Sequence, residues 1–591
     1  MCKAFAAMEM YIFQAFCLEM KWVALCLLIL CRTIAASSNE TVEYDTSTYT
    51  ECQIHPAAPL YGGGILVNPG FEDGTQGWTE LIGKANLHIE SENNGNKYVV
   101  ATNRQMGNWT PSQKLENLSQ DIKYTLSAWV QIRGAANSAF VKATVDIDNT
   151  TSLCAGNVMA RNGCWSFLKG GFVPDWSPSY SKLYFESNNT DVDILVDSVS
   201  IQPFTEEEWC LQQQDRITKN RMRRVSLHVT DLQGNRLEEA NVTVKQISRQ
   251  FPLGSAITKT ILGNEPYQRW FLKRFNTAVF ENELKWYATE PKPGKLNYSL
   301  ADQLLEFCDA NGIQTRGHNI FWEDSRYIPS WVTSLDKEEL QKAVRKRIES
   351  LVERYAGNFI SWDVSNEMLH FSFYEEKLGP DASQDFFQAA QQIDPRTPMF
   401  MNDYNVIEDC ADSEATADAY IQKLRKIRES GQVMEGIGLE SHFSKPNIPF
   451  MRAVLEKLST LGLPIWLTEV DVAKKFDHET QAAYLEEILR EGFSFPAVEG
   501  IIMWTALGRN GCYQMCLTDN DFNNLPAGDS VDRLLAEWTT ELDDMTDENG
   551  LFKFNGFFGD YEFSATYGQK NITKSMSVSQ GDGVQHIYIQ I

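Results

Sequence analysis

The sequence predicts a multidomain chain: an all-β jelly-roll or β-sandwich domain, then a (β/α)8 barrel, then a short C-terminal β extension. Three observations carry this. At 591 residues the chain exceeds what one ordinary core fills, so two or three domains are expected. Residues 61–205 hold short, partly alternating apolar runs divided by polar turns, with no helical stretch. From residue 251 the period changes, and short apolar runs alternate with amphipathic segments.

Residues 1–36 read as a signal peptide. Lys21 precedes an apolar stretch from Trp22 to Cys31, and small residues follow at Ala35 to Ser37. The stretch is too short to span a bilayer. The residues before Met20 lengthen this leader, so either Met20 is the true start or the element is an uncleaved anchor; cleavage is the preferred reading. Sequons at Asn39, Asn108, Asn117, Asn149, Asn188, Asn241, Asn297 and Asn571 fit export to an extracellular or cell-wall location. Of the 12 Cys, those outside the leader are even in number and compatible with oxidation, with Cys154–Cys164 and Cys512–Cys516 as short-loop candidate pairs. No CxxC pair or HExxH motif supports a metal site.

Residues 61–205 begin with GGGILVNPGFEDGTQGW (62–78) and continue through KYVVATN, KYTLSAWVQI, AFVKATVDI, SKLYFES and DILVDSVSIQ, a spacing that suits a sandwich. Residues 206–250 read as a linker and hairpin. DRITKNRMRR (215–224) looks like a solvated connector, and VSLHVTDLQGNRLEEANVTVKQI (225–247) turns near Gln233–Gly234–Asn235. Over 251–540, FPLGSAI, NTAVF, IQTRGHNIFW, FISWDVSNE, PMFMNDY, GIGLESH, PIWLTEVD and GIIMWTA supply eight strands. Helical patterns such as KEELQKAVRKRIESLVERYAG (337–357) fall between them, the order of a (β/α)8 barrel. A doubly wound sheet is the alternative, but no phosphate-binding Gly-rich turn follows an early strand. Residues 541–591 return to strands and either cap the barrel or pair with the 225–247 hairpin.

The formal net charge of −26 makes nucleic acid and anionic lipid poor partners. The 15 Trp, 21 Tyr and 32 Phe suit either core or the flat faces on which sugar rings pack.

Polar residues gather where barrel strands end: His318, Glu367, Asp403, His442, Glu469 and Asp471, with Trp322 and Trp504 at equivalent places. A parallel barrel strand is buried along its length and opens onto the active-site face at its C-terminal end. One such residue is ordinarily a satisfied polar group; their recurrence points to a shared cleft. Two facing carboxylates suit glycoside hydrolysis, where one protonates the leaving oxygen and the other attacks the anomeric carbon. His442 and Asp471 are placed to orient Glu469 and hold it ionised, and Asn366 to bond a hydroxyl beside Glu367.

WDVSNE and LTEVDV, with FENELKW (280–286), RGHNIFW (316–322), NDYN (402–405) and GIGLESHF (436–443), resemble glycoside hydrolase family 10 over 251–540. The resemblance implies a retaining endo-1,4-β-xylanase with no cofactor or metal, acting as a secreted monomer on glucuronoxylan or arabinoxylan. The order of domains is similar to that of plant secreted members. Carried over by position, Glu367 matches the general acid/base and Glu469 the nucleophile. Glu281, Asn282, Lys285, His318, Trp322, Asn366, His442 and Trp504 match residues that hold the sugar on the glycone side, and Tyr404 stands on the leaving-group side. Asp471 and Glu440 are supporting residues. The plainer roles are that Trp322 is core and Lys285 an ion-pair partner of Glu281. Two departures stand out. Glu440 occupies the place of a glutamine in many members, adding a carboxylate that would shift the working pH. LTDNDFNNLPAG (517–528) lacks a second tryptophan that many members carry.

NPGFEDGTQGW, NWTPSQ (108–113) and KLYFE (182–186) resemble carbohydrate-binding module family 22. Trp109, Tyr184 and Glu186 match its xylan-contacting aromatics and acid. An arginine carried by binders of that family is missing after Trp78, and a glycan on Asn108 would stand beside Trp109. Three other readings remain open: a xylan endotransglycosylase, a glucan-cleaving relative, and a non-catalytic xylan-binding wall protein.

Overall fold

The computed structural model describes residues 42–80, 86–429 and 434–591. The signal-peptide expectation for 1–36 lies outside the described residues. Among those residues no helix is long and apolar enough to cross a membrane.

Ten antiparallel strands build the N-terminal domain: β1 (Thr79–Glu80), β2 (Asn86–Ser91), β3 (Lys97–Thr102), β4 (Pro111–Leu115), β5 (Lys123–Arg133), β6 (Ser138–Ile147), β7 (Thr151–Arg161), β8 (Ser166–Phe172), β9 (Ser181–Glu186) and β10 (Asp193–Phe204). They hydrogen-bond in one sheet in the order β1-β4-β9-β6-β7-β8-β5-β10-β3-β2. Strand alternation sorts each side chain. In β6, Val141, Ala143 and Val145 enter the core with Leu126, Val158 and Ile194, while Lys142, Thr144 and Asp146 face outward.

The N-terminal segment covers part of the outer face, where Tyr49 packs on Trp129 and Phe167 and Cys52 bonds to Cys164. The expected Cys154–Cys164 pair therefore does not form. Cys154 lies within β7 and Cys164 beyond its end, and the extended strand between sets them on the order of 20 Å apart. Cys154 instead bonds to Cys410 of the barrel, and Cys512–Cys516 forms as expected. Cys210 and Cys308 are free.

The stretch read as a solvated connector instead closes a helix, Glu206–Arg221, and opens the strand that follows; a reciprocal capping box between Thr205 and Glu208 starts the helix. The helix docks on the barrel. Trp209 Nε1 and Gln213 Nε2 donate to Glu491 at 3.0 and 2.8 Å, and Arg452 lies 3.5 Å over the Trp209 ring. Arg452 and Glu491 are joined by paired bonds of 2.6 and 2.8 Å with no solvent access. The docking face contains a glutamine among its three buried residues, so its apolar period is faint.

The chain next passes through β11 (Met222–Thr230) and β12 (Asn241–Gln246) into the barrel strands β13 (Leu253–Ile257), β14 (Thr277–Phe280), β15 (Gln314–Trp322), β16 (Trp362–Asn366), β17 (Met399–Asp403), β18 (Gly436–Leu439), β20 (Ile465–Val472) and β21 (Val498–Met503). Each pairs in parallel with the next, and β21 closes on β13; the short β19 (His442–Phe443) adds to β20. The barrel interior alternates large and small residues. Gly436 shows why: a Cβ there would stand 2.0 Å from the Phe400 ring. Phe400 in turn supports Arg316, which is fully buried in an ion pair with Asp363.

The tail supplies β22 (Glu541–Met545), β23 (Leu551–Phe557), β24 (Gly559–Tyr567), β25 (Lys570–Val578) and β26 (Gln585–Gln590). It pairs with 222–246, but that segment is not a hairpin. The Asp231–Asn235 turn forms, yet β11 joins β23 and β26 while β12 joins β22 and β24. Splitting the two strands lets Val225, Leu227 and Val229 pack across from Val242 and Val244 in one core; a flat hairpin would expose one of these faces.

Glu491→Ala removes the buried carboxylate that balances the buried Arg452 charge. The substitution is expected to lower stability by about 3–5 kcal/mol, read as a fall in the thermal unfolding midpoint.

Candidate active site

Most barrel residues singled out above lie at or just beyond the C-terminal end of a strand, where side chains face the open end of the barrel; His318, expected at a strand end, instead sits in the middle of β15. Glu469 sits within β20, 5% exposed. Asn402 Nδ2 donates to its Oε1 at 3.0 Å, His318 Nε2 stands 3.8 Å from the same oxygen, and His442 Nε2 stands 3.5 Å from Oε2. Burial alone would raise its pKa, but His318, His442 and Lys285 outweigh that and hold Glu469 down at about 2. Asp471 and Glu469 keep His442 well above the usual imidazole range despite its burial, so its Nδ1–H donates to Asp471 at 2.9 Å.

Glu367 follows β16 with φ of +61°, a left-handed conformation seldom adopted by a side-chain-bearing residue and one that recurs at functional sites. No comparable set of cations surrounds it. Burial pushes its carboxyl up to about 7; the Trp322 indole opposes this without completing a hydrogen bond, and the charges of Asp403 and Glu469 add to it. One carboxyl is thus protonated near neutral pH while the other is ionised, the division of labour that acid-assisted displacement at a sugar carbon needs.

The remaining groups form the walls. Lys285 Nζ lies over the Trp322 ring at 4.4 Å and the Trp504 ring at 5.5 Å. Its charge also acts on Glu281, partly opposing the rise that burial gives that carboxyl. Glu281 accepts from Asn282 Nδ2 at 3.2 Å, and Asn282 accepts from Tyr287. Trp322 is half-buried and stacks on Tyr327 at 4.0 Å. Tyr404 stacks on His370 at 3.8 Å, and His370 bridges Asp403 and Asp412 at 2.7 and 3.1 Å. Asn366 donates to Glu440 at 3.2 Å. Trp109, Tyr184 and Glu186 belong to the N-terminal domain. Tyr184 donates to Asp146, Glu186 accepts from Thr144 and pairs with Lys142, and both aromatic rings are buried instead of forming open platforms.

The chain matches Glycosyl hydrolase family 10 over residues 243–531 and Carbohydrate binding domain over residues 63–191. Endo-1,4-beta-xylanase 5 of Arabidopsis thaliana is 38% identical over 467 residues, covering 77% of this chain and 81% of that protein. The chain belongs to glycosyl hydrolase family 10. Endo-1,4-beta-xylanase 1 of the same plant is 33% identical over 90% of this chain, which spans 58% of that longer protein. A solved structure of xylanase 10B from Thermotoga maritima is 25% identical, covers 49% of this chain and 95% of that one, and has a TM-score of 0.44.

Sequence reasoning passed over three residues of this family 10 cleft. Asn402 bonds Glu469, Asn366 and Thr468 at once, in space left by Gly438, whose Cβ would stand 2.4 Å from the Asn402 amide oxygen. Asp363 holds both Arg316 and His318. His370 supports Tyr404. The available signal was a polar side chain inside a strand with no exposure, as at Asp363 and Asn402.

Ligand atoms of Glu440, His442 and Glu469 lie within 4.8 Å of one another, a spacing open to a metal. A protonated His442 is a donor at both ring nitrogens and offers no lone pair for one. Glu440 is raised well above its ordinary 4.5, first by burial and then by the charges of Glu469 and Glu367. Below pH 4.5 folded and unfolded chains both keep this proton; above it, the unfolded chain gains by ionising and the fold loses relative stability. Glu440→Gln removes that loss. The variant is expected to melt higher than the parent at pH 7, by a margin growing by up to about 1.4 kcal/mol per pH unit above the ordinary value. Melting curves at stepped pH would show the gap closing in acid.

Proposed function

We propose that this family 10 protein is a secreted, retaining endo-1,4-β-xylanase that cleaves internal bonds of cell-wall xylan, with Glu469 as nucleophile and Glu367 as acid/base. The observation carrying this is the opposite protonation of two buried carboxyls on the ends of β16 and β20. Relatives at 38% and 33% identity are endo-1,4-beta-xylanases.

Glu469 attacks the anomeric carbon while Glu367 gives its proton to the departing glycosidic oxygen, leaving a glycosyl ester on Glu469. Glu367, now anionic, takes a proton from water as that water attacks the same carbon, which frees Glu469 and restores the acid. His442 and Asn402 fix the nucleophile in orientation, and Asp471 holds the His442 ring. Lys285, His318 and Asn366 supply polar atoms for neutral hydroxyls, and Trp322 and Trp504 supply flat apolar faces. A pentose needs no room for a hydroxymethyl group, and that difference is what a site choosing xylan over glucan has to read.

Secretion is supported by three disulfides and by sequons at Asn117, Asn149, Asn188, Asn241, Asn297 and Asn571, all exposed. The N-terminal domain would bind the polymer, and nothing in the mechanism calls for a second protomer.

The secreted protein is expected to release reducing ends from glucuronoxylan with the β-anomer formed first. Glu367→Ala should reduce the rate by about 10²–10⁴-fold, and Glu469→Ala should abolish it. Activity is expected to rise as Glu469 ionises, near pH 2, and to fall as Glu367 loses its proton, near pH 7. Undiminished release by Glu469→Ala, or initial formation of the α-anomer, would refute the assignment.

A further inference from the structure

The end of the barrel opposite the cleft is covered by the tail, and the joint between them leaves a cavity. Leu253, Gln314 and Trp466 stand at the N-terminal ends of β13, β15 and β20. Phe557 and Phe558 of the tail and Arg221 of the Glu206–Arg221 helix complete the wall around a volume of about 480 Å³. A space of that size at a junction between domains is typical of small-molecule sites. The walls are aromatic and closely held. Phe493 stacks on Trp538 at 4.0 Å and meets Phe251 edge to face at 4.9 Å. The Trp466 ring lies against Gly500, where a Cβ would stand 2.5 Å from it. Such walls pack well on a flat ring.

The charge of the cavity is opposite to that of the chain. Two guanidiniums line it, Arg221 and Arg249, with Glu499 as the single lining carboxylate among the described residues, whereas the chain carries a net −26. Arg221 donates through Nε and Nη2 to the Phe493 and Phe495 carbonyls at 2.9 and 2.8 Å. Arg249 donates through Nη2 to the Arg274 carbonyl, and its Nε has no partner among the described residues. Burial lowers both guanidiniums from their ordinary value, Arg221 to about 10. Glu499 opposes this for Arg221, but among the described residues no carboxylate does so for Arg249. Arg249 is thus a cation partly withdrawn from water with no anion beside it. Trp538, only 3% exposed, likewise has no acceptor for its indole N–H. Buried donors without acceptors are uncommon, and an unpaired buried cation is costly; an anionic acceptor brought by a ligand offsets both.

We propose that this cavity is a second binding site, taking a small aromatic carboxylate whose ring lies among Trp466, Phe493 and Phe557 and whose charge pairs with Arg249. The planar fork of a guanidinium matches the two oxygens of a carboxylate in parallel bonds, which fixes the ligand in orientation. A neutral sugar would find the same rings but leave the Arg249 charge uncompensated, so the acid is the ligand that the cavity prefers. The site is separate from the cleft and does not depend on the reaction performed there. Its ligand would touch the barrel floor, the tail and the Glu206–Arg221 helix together.

The test is calorimetric titration of the full chain with β-naphthoate and with β-naphthamide, which has the same shape and no charge. Naphthoate is expected to bind saturably, and the amide about tenfold more weakly. Arg249→Gln should weaken naphthoate about tenfold while leaving the amide unchanged. Glu499→Gln, at an exposed position, removes the lining carboxylate and should tighten naphthoate by about two- to fivefold. A variant that had merely lost structure could not bind more tightly, so the two substitutions together separate charge pairing from misfolding. No binding of naphthoate, equal affinity for the amide, or indifference to both substitutions would overturn the proposal. Displacement of bound naphthoate by xylose at equal concentration would assign the cavity to neutral sugars and overturn it as well.

Discussion

A carboxylate that must stay ionised while almost wholly removed from water organises the open end of this barrel. Isolated, such a group would take up a proton. Glu469 avoids this because His318, His442, Lys285 and Asn402 converge on it, and three of these are themselves held. His442 is fixed by Asp471, His318 by Asp363, Asn402 by Thr468. Asp363 carries the chain of support down to Arg316, which packs between Phe400 and Trp466 in the barrel interior. The charge on Glu469 is therefore tied to packing in the barrel interior. Glu367 shares the burial without the same cations, and that single difference leaves one carboxyl protonated where the other is ionised.

The same economy of fixed neighbours extends outward. The loop after β17 is held by the Tyr404–His370 stack, by Asp412 and by the Cys410 bridge. On another side the Glu206–Arg221 helix is sealed to the barrel through Arg452 and Glu491, a buried pair with its remaining acceptor positions filled by Trp209 and Gln213. Buried pairs of this kind stabilise little in net terms but tolerate no missing partner. They suit a joint whose geometry has to be unique, here the joint between the Glu206–Arg221 helix and the barrel.

Much of this was legible in the residues. The barrel strands announce themselves as apolar runs, and their polar last residues mark the cleft because a buried strand has no other reason to end on Glu367 or Glu469. What escaped notice had no local signature. The partner of Cys154 lies 256 positions away, while Cys164 was merely near in sequence. The 225–247 segment has the alternation and turn of a hairpin, and only the tail strands, which compete for its edges, pull β11 and β12 into separate sheets. The docking helix hides because its buried face includes Gln213, whose burial makes sense only beside Glu491. Asn402 looks like an ordinary strand-end amide until Glu469 is seen across the barrel.

Glu440 shows how narrow the electrostatic margin is. With Glu367 and Glu469 it makes three carboxyls in one small volume, and three full charges there would repel strongly at low effective dielectric. The fold resolves this by keeping the proton on two of them. A protonated Glu440 retains one accepting oxygen, which takes the Asn366 and Asn402 amide hydrogens at 3.2 and 3.4 Å, and it presents an O–H as a glutamine presents an N–H. It thus fills a glutamine's hydrogen-bonding role while its proton lasts. Once that proton leaves, the new charge disfavours the ionised state of Glu469 and strengthens the hold of Glu367 on its own proton, so the three groups titrate as a set. The substitution that looks least conservative in charge is, at a pH where Glu367 is protonated, nearly neutral in chemistry.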